Sequence, residues 1–145
     1  MMRAFPYTVV TLVIYNIVII FSGPETWDNV IHTLNLFSDV AWPLTTGMMM
    51  IVGGLVILLV EILRATTIDR RAITNHIFSI VVLLIYVIEF VVVGEADNST
   101  FFILTLIALV DVLGGIVVTI RLATRDFSVE HGAGGYPTVD HGPMN

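Results

Sequence analysis

The chain reads as an all-α integral membrane protein: a four-transmembrane-helix bundle with both termini cytoplasmic (N-in/C-in). Three observations predict this. Apolar residues make up 57% of the 145 positions and charged residues 12%. Mean hydropathy is +0.95, which means more apolar surface than a soluble domain of this size hides. Four apolar stretches, about residues 5–22, 42–63, 73–93 and 101–120, are each long enough for a bilayer core of ~30 Å at ~1.5 Å per residue. The six basic residues, Arg3, Arg64, Arg70, Arg71, Arg121 and Arg125, all flank the same side of this pattern. Cationic loops stay inside during insertion, so the two acidic loops are expected outside.

The first span follows Met1-Met2-Arg3 and runs to Phe21. It is longer than a signal-peptide core and lacks a small-x-small cleavage pattern at Ser22-Gly23-Pro24, so a retained span is expected. Residues 25–41 are too polar to cross. Trp27, Val30, Ile31, Leu34, Phe37 and Ala41 recur at steps of three and four, opposite Glu25, Asp28, His32, Asn35 and Asp39. That spacing predicts an amphipathic helix on the outer surface between spans one and two, with Trp27 and Trp42 at headgroup depth. Pro43 is expected to open the second span.

The connection Arg64 to Thr74 makes spans two and three antiparallel neighbours, and Gly94–Thr100 does the same for spans three and four. Ser99 or Thr100 is the expected N-cap of the last span. After Asp126 the apolar pattern stops, and recurring Gly and Pro predict a flexible cytoplasmic tail over 127–145. Residues 1–126 then form the transmembrane domain. A faint repeat relates Leu12–Gly23 to Leu83–Gly94, with five identities in twelve, and would set Tyr15 and Tyr86 at equivalent depths.

Asp111 is the polar residue that stands out. It lies about ten residues from each end of the fourth stretch, where insertion scales charge ~2.5–3.5 kcal/mol for a carboxylate. Thr105, Ala108, Gly115 and Thr119 share its face, a small and polar seam expected to point into protein. Arg121 is ~15 Å away along the helix, so a neutral carboxyl or a pairing across subunits is expected. The intramembrane polar site is therefore read as Asp111 with Tyr15 and Tyr86 as hydrogen-bond partners, and Glu89 near the outer interface. Gly53, Gly54, Gly114 and Gly115 are read as helix-packing positions. Glu61, three residues before Arg64, is expected to pair with it. His76 is read as a headgroup contact. The acids and His32 of the outer stripe are read as a solvated face rather than a metal site, and the tail pairs Glu130-His131 and Asp140-His141 as part of a docking segment for a cytoplasmic partner rather than as metal ligands.

Several functions are excluded. No cysteine means no disulfide, thiol redox or iron–sulfur chemistry. There is no basic stripe for nucleic acid, and a lone His76 is not a haem pair. No nucleophile–base pair or metal cluster is recognisable, so no enzyme activity and no cofactor is expected. The expected role is a non-enzymatic subunit or scaffold of a bacterial inner (plasma) membrane complex or homo-oligomer. Its partners are then the lipid bilayer and either further copies or other membrane subunits. The alternative is a small oligomeric proton- or cation-coupled transporter or channel that uses Asp111, with Tyr15, Tyr86 and Glu89 along its path.

Overall fold

The computed structural model describes residues 6–65 and 72–132, with side chains described over 6–63 and 77–121. Arg3, Arg70, Arg71 and the tail from residue 133 lie outside the described residues, as do the side chains of Arg64, His76 and Arg125. The order is α1 (Thr8–Ser22), a 3₁₀ turn (Pro24–Asp28), β1 (Val30–Asn35), β2 (Ala41–Thr45), α2 (Thr46–Ala65), α3 (Ala72–Val92), a second 3₁₀ turn (Gly94–Ala96) and α4 (Ser99–Gly132).

Two helices carry runs long and apolar enough to cross a membrane, Thr46–Leu63 of α2 and Ser99–Arg121 of α4. Only 22% and 33% of those runs is buried within the protein, whereas a soluble core helix of that composition would be mostly enclosed. α1 and the Ile77–Val92 part of α3 are shorter apolar helices. All four turn Val, Ile and Leu outward, as at Val13, Ile17, Leu55, Leu59, Ile88 and Val117.

The inward stripes recur at steps of three, four and seven. They comprise Thr8, Thr11, Leu12 and Tyr15 on α1, and Leu58 and Glu61 on α2. α3 contributes Ser79, Val82 and Tyr86, and α4 contributes Phe101, Leu104, Ile107, Ala108, Asp111 and Val112. α4 is the central element, packed against α2 and α3. Gly54 makes its approach to α2 possible: a Cβ there would meet Leu104 Cδ2 at 3.0 Å and Ile107 Cδ1 at 3.3 Å.

The amphipathic outer helix expected over 25–41 does not form. After Gly23, at φ 78°, Pro24 opens the 3₁₀ turn, and an antiparallel hairpin follows. Its register pairs Val30 with Thr45, His32 with Leu44, Thr33 with Pro43, Leu34 with Trp42 and Asn35 with Ala41, with an irregularity between Val30 and His32. Its tip is a tight turn: the Asp39 N–H donates to the Leu36 carbonyl (3.0 Å) and the Leu36 N–H to the Val40 carbonyl (3.1 Å). Asp39 takes φ 56°, a left-handed position that Asp tolerates. The physical reason is that Val30, Ile31 and Thr33 are β-branched, while Phe37-Ser38-Asp39 supplies a turn. Every residue from Asp28 to Pro43 is exposed, so no apolar face lies against the helices. Pro43 stands inside β2 and does not open the second span.

Two other boundaries move. α4 continues to Gly132, so the first part of the expected tail, 127–132, is helical. The α4 N-cap is Asn98, whose Oδ1 accepts the Phe101 N–H at 3.0 Å, and neither Ser99 nor Thr100 fills that role.

Candidate functional site

Each of the four helices places one buried polar side chain at a similar distance from the end that carries the hairpin. Counting rise from that end, Thr8 lies ~21 Å along α1, Glu61 ~22 Å along α2, Ser79 ~20 Å along α3 and Asp111 ~18 Å along α4. All four are less than a tenth exposed. The start of α1 joins two of these groups directly. The Thr8 hydroxyl donates to Asp111 Oδ2 (3.3 Å), and the neighbouring Tyr7 N–H donates to Glu61 Oε2 (3.1 Å). Two carboxyl groups from different helices thus meet adjacent residues at one helix start, where the backbone presents donors and the positive end of its dipole.

A hydrogen-bonded chain extends from this layer toward the hairpin end. Thr11 donates its hydroxyl to the Thr8 carbonyl (2.7 Å) and lies 2.8 Å from the Tyr86 hydroxyl. Tyr86 in turn donates to the Thr8 carbonyl (3.3 Å). Tyr86 is therefore linked to Asp111 through Thr8 rather than bound to it, and its ring packs at 5.3 Å from Phe101.

Tyr15 belongs to a different layer. Its ring stacks on Trp27, with centroids 4.8 Å apart and 4° between planes, and packs 4.5 Å from Phe101. Its hydroxyl donates to the Glu95 carbonyl (3.3 Å) and accepts from Asn98 Nδ2. Asn98 thereby caps α4 and ties α1 to the loop before it. The expected Asp111–Tyr15 contact is absent among these bonds, because Tyr15 engages the hairpin-end turns. Both tyrosine rings pack against Phe101.

Glu89 is half-buried and lines a cleft of about 400 Å³ between the ends of α1 and α3, together with Asn16, Ile19, Ile20, Pro24, Val93, Glu95 and Ala96. It does not join Asp111. Of the packing glycines, Gly54 is enclosed, whereas a Cβ at Gly53 or Gly114 would meet nothing within 4 Å. Those two make no helix contact among the described residues, and Gly115 is half-buried. Of the expected Asp111 seam, Ala108 is buried. Thr105 and Thr119 are half-buried and donate to their own helix, to the Phe101 and Gly115 carbonyls. No group of three or more metal-ligating side chains occurs among the described residues.

Sequence reasoning missed Glu61 and Gly47. The bond from the start of α1 to Glu61 is the part that helix spacing does not reveal, while the expected Glu61–Arg64 pair involves a side chain outside the described ones. Gly47, Gly54 and Glu61 stand seven residues apart on α2, a spacing that marks one face, and that signal was present. Comparison with protein-family models, with curated proteins and with solved structures finds no match to this chain.

Proposed function

We propose that this chain is a multi-pass membrane protein, with four spans and both termini cytoplasmic, that acts as a non-enzymatic subunit or scaffold. In this reading it sits in a bacterial inner membrane and assembles with copies of itself or with other membrane subunits. The observation that carries the proposal is the hairpin. Ile31, Leu34, Leu36, Phe37, Val40 and Trp42 are all exposed on it, beyond the apolar runs that face lipid. Apolar side chains set together on an exposed element mark an interaction surface. The arginine pattern puts that surface outside.

A second reading, a proton- or cation-coupled transporter or channel, is favoured by the placement of Glu61 and Asp111 on adjacent residues of the α1 start. Intramembrane acids on a shared site are the groups that carry protons or cations. Proteoliposomes separate the two. Under the scaffold reading, wild-type vesicles show no flux under a pH gradient, and Asp111→Asn assembles normally. A pH-driven flux that disappears in Asp111→Asn overturns the scaffold reading in favour of transport. A reporter fused after Asn145 is expected to signal cytoplasm, and one within Gly94–Thr100 the outer side. The opposite result refutes the topology.

A further inference from the structure

The two edges of the hairpin are not equivalent. The Leu36 N–H donates to the Val40 carbonyl across the tip, which makes Leu36 and Val40 a hydrogen-bonded pair. Alternation along an antiparallel ladder then makes Leu34–Trp42 and His32–Leu44 hydrogen-bonded pairs, and Asn35–Ala41 and Thr33–Pro43 non-bonded ones. The nitrogen of Pro43 therefore faces away from β1, where a missing N–H costs the hairpin nothing. It also interrupts the free edge of β2, the usual device by which an edge is closed to further strands. β1 has no such device. Its Thr33 and Asn35 amides and carbonyls point outward. The segment Val30–Asn35 holds no Pro, Lys, Arg, Asp or Glu, and all six residues are exposed.

We propose that β1 pairs antiparallel with β1 of a second copy of this chain, joining two hairpins into one four-stranded sheet. The proposal rests on the scaffold reading and names its partner. A row of alternating amides and carbonyls is satisfied by another strand, which lipid does not supply. Self-pairing is favoured by composition, because an uncharged strand set against itself opposes no like charges. With Thr33 opposite Thr33 of the second copy, the contact is a favourable Thr–Thr cross-strand pair. Asn35 then meets Ile31 on either side, while Asp28 and Asp39 lie beyond the paired segment. Two copies inserted in the same direction are related by an axis along the membrane normal. An antiparallel strand pair has its two-fold axis perpendicular to the sheet, so the joined sheet lies parallel to the membrane plane, and this isologous contact closes as a dimer and does not propagate.

The chain has no cysteine, so one introduced cysteine reports the contact cleanly. Across a hydrogen-bonded pair the Cα atoms stand ~5.5 Å apart, within disulfide reach. Under mild oxidation in native membranes, Thr33→Cys is expected to give disulfide-linked dimers and Ala41→Cys none. Thr33→Pro removes an outward N–H and no bond of the hairpin itself. By symmetry it deletes two intermolecular bonds, so dimerisation in nanodiscs should weaken about tenfold or more. Asn35→Pro serves the same purpose if Thr33→Pro fails to fold. The proposal is overturned if Thr33→Cys does not cross-link, or if both proline variants fold and keep the wild-type dimer. Should those variants remain oligomeric, the scaffold reading stands without this edge. A wild type that is monomeric and conducts a pH-driven flux removes both.

Discussion

Gly47 offers a sharp test of the packing, because the structure sets it against Gly53 on the same helix. A Cβ at Gly47 would run into Thr100 Oγ1 and stand 3.0 Å from the Trp27 carbonyl oxygen. Thr100 is buried, and the carbonyl belongs to the backbone of a turn held between α1 and α2, so neither neighbour yields cheaply. Overpacking of this kind costs about 1–3 kcal/mol. Replacing Gly by Ala in a helix returns at most ~1 kcal/mol, and less at the second residue of α2. Gly47→Ala should therefore destabilise by about 1–2 kcal/mol. Gly53→Ala meets nothing within 4 Å, so only the helical gain remains, roughly 0.5–1 kcal/mol of stabilisation. Unfolding in mixed detergent, followed by tryptophan fluorescence, reads both, since Trp27 lies at the contact itself. Adding Thr100→Ala to Gly47→Ala should recover part of the loss, because it removes Oγ1 but leaves the Trp27 carbonyl, with a coupling of about 0.5–1.5 kcal/mol. If Gly47→Ala proves as stable as Gly53→Ala, the close approach of α2 to α4 and the first 3₁₀ turn is wrong.

Three further outcomes follow from single contacts. Tyr86→Phe keeps the ring on Phe101 but removes the hydroxyl shared by Thr11 and Thr8, and should cost about 1 kcal/mol in the same unfolding measurement. Asp39→Gly should leave the hairpin intact or tighten it by up to ~1 kcal/mol, whereas Asp39→Val at φ 56° should loosen it by about 1–2 kcal/mol; amide exchange at Leu36 and Asp39 distinguishes them. Glu61→Gln keeps an acceptor for the Tyr7 N–H and should be mild, while Glu61→Ala should destabilise by about 1–3 kcal/mol in detergent unfolding.

The helices were legible because their signal is redundant. A long apolar run with small residues and a charged end predicts a helix over many positions at once; the observed ranges of α1, α2 and α3 differ by a few residues, whereas α4 runs about twelve residues past its apolar stretch. The hairpin was not legible by that route. Val30, Ile31, Leu34 and Phe37 satisfy a helical spacing, yet the same segment is β-branched and ends in a turn sequence, and periodicity weighed more than local propensity. Nothing covers the segment in the structure, so burial did not enforce the helical pattern. Asp111 was found because a carboxyl in an apolar run is conspicuous. Its partners were not, because they depend on where α1 begins. Counting from the apolar run puts that start at about residue 5, and Thr8 then reads as one of several threonines on the Tyr15 face.

The start of α1 also explains why an acid is needed there. A helix leaves its first N–H groups without intrahelical partners, and burying them in an apolar interior requires an acceptor for each. Pro6 is buried and has no N–H to satisfy. The Val9 N–H donates to the Pro6 carbonyl (3.3 Å) and the Val10 N–H to the Tyr7 carbonyl (2.9 Å) in a tightened first turn. Of the donors that remain, the Tyr7 N–H is the one that Glu61 accepts. Tyr7, the N-cap residue, makes no side-chain cap, so a group from α2 does that work. Glu61 is thus accounted for by backbone satisfaction whether or not anything moves across the membrane. Asp111 receives a side-chain hydroxyl instead, a bond that Asn in its place can still accept. The two acids therefore separate cleanly: loss of Glu61 perturbs folding under either functional reading, and only Asp111→Asn discriminates between them.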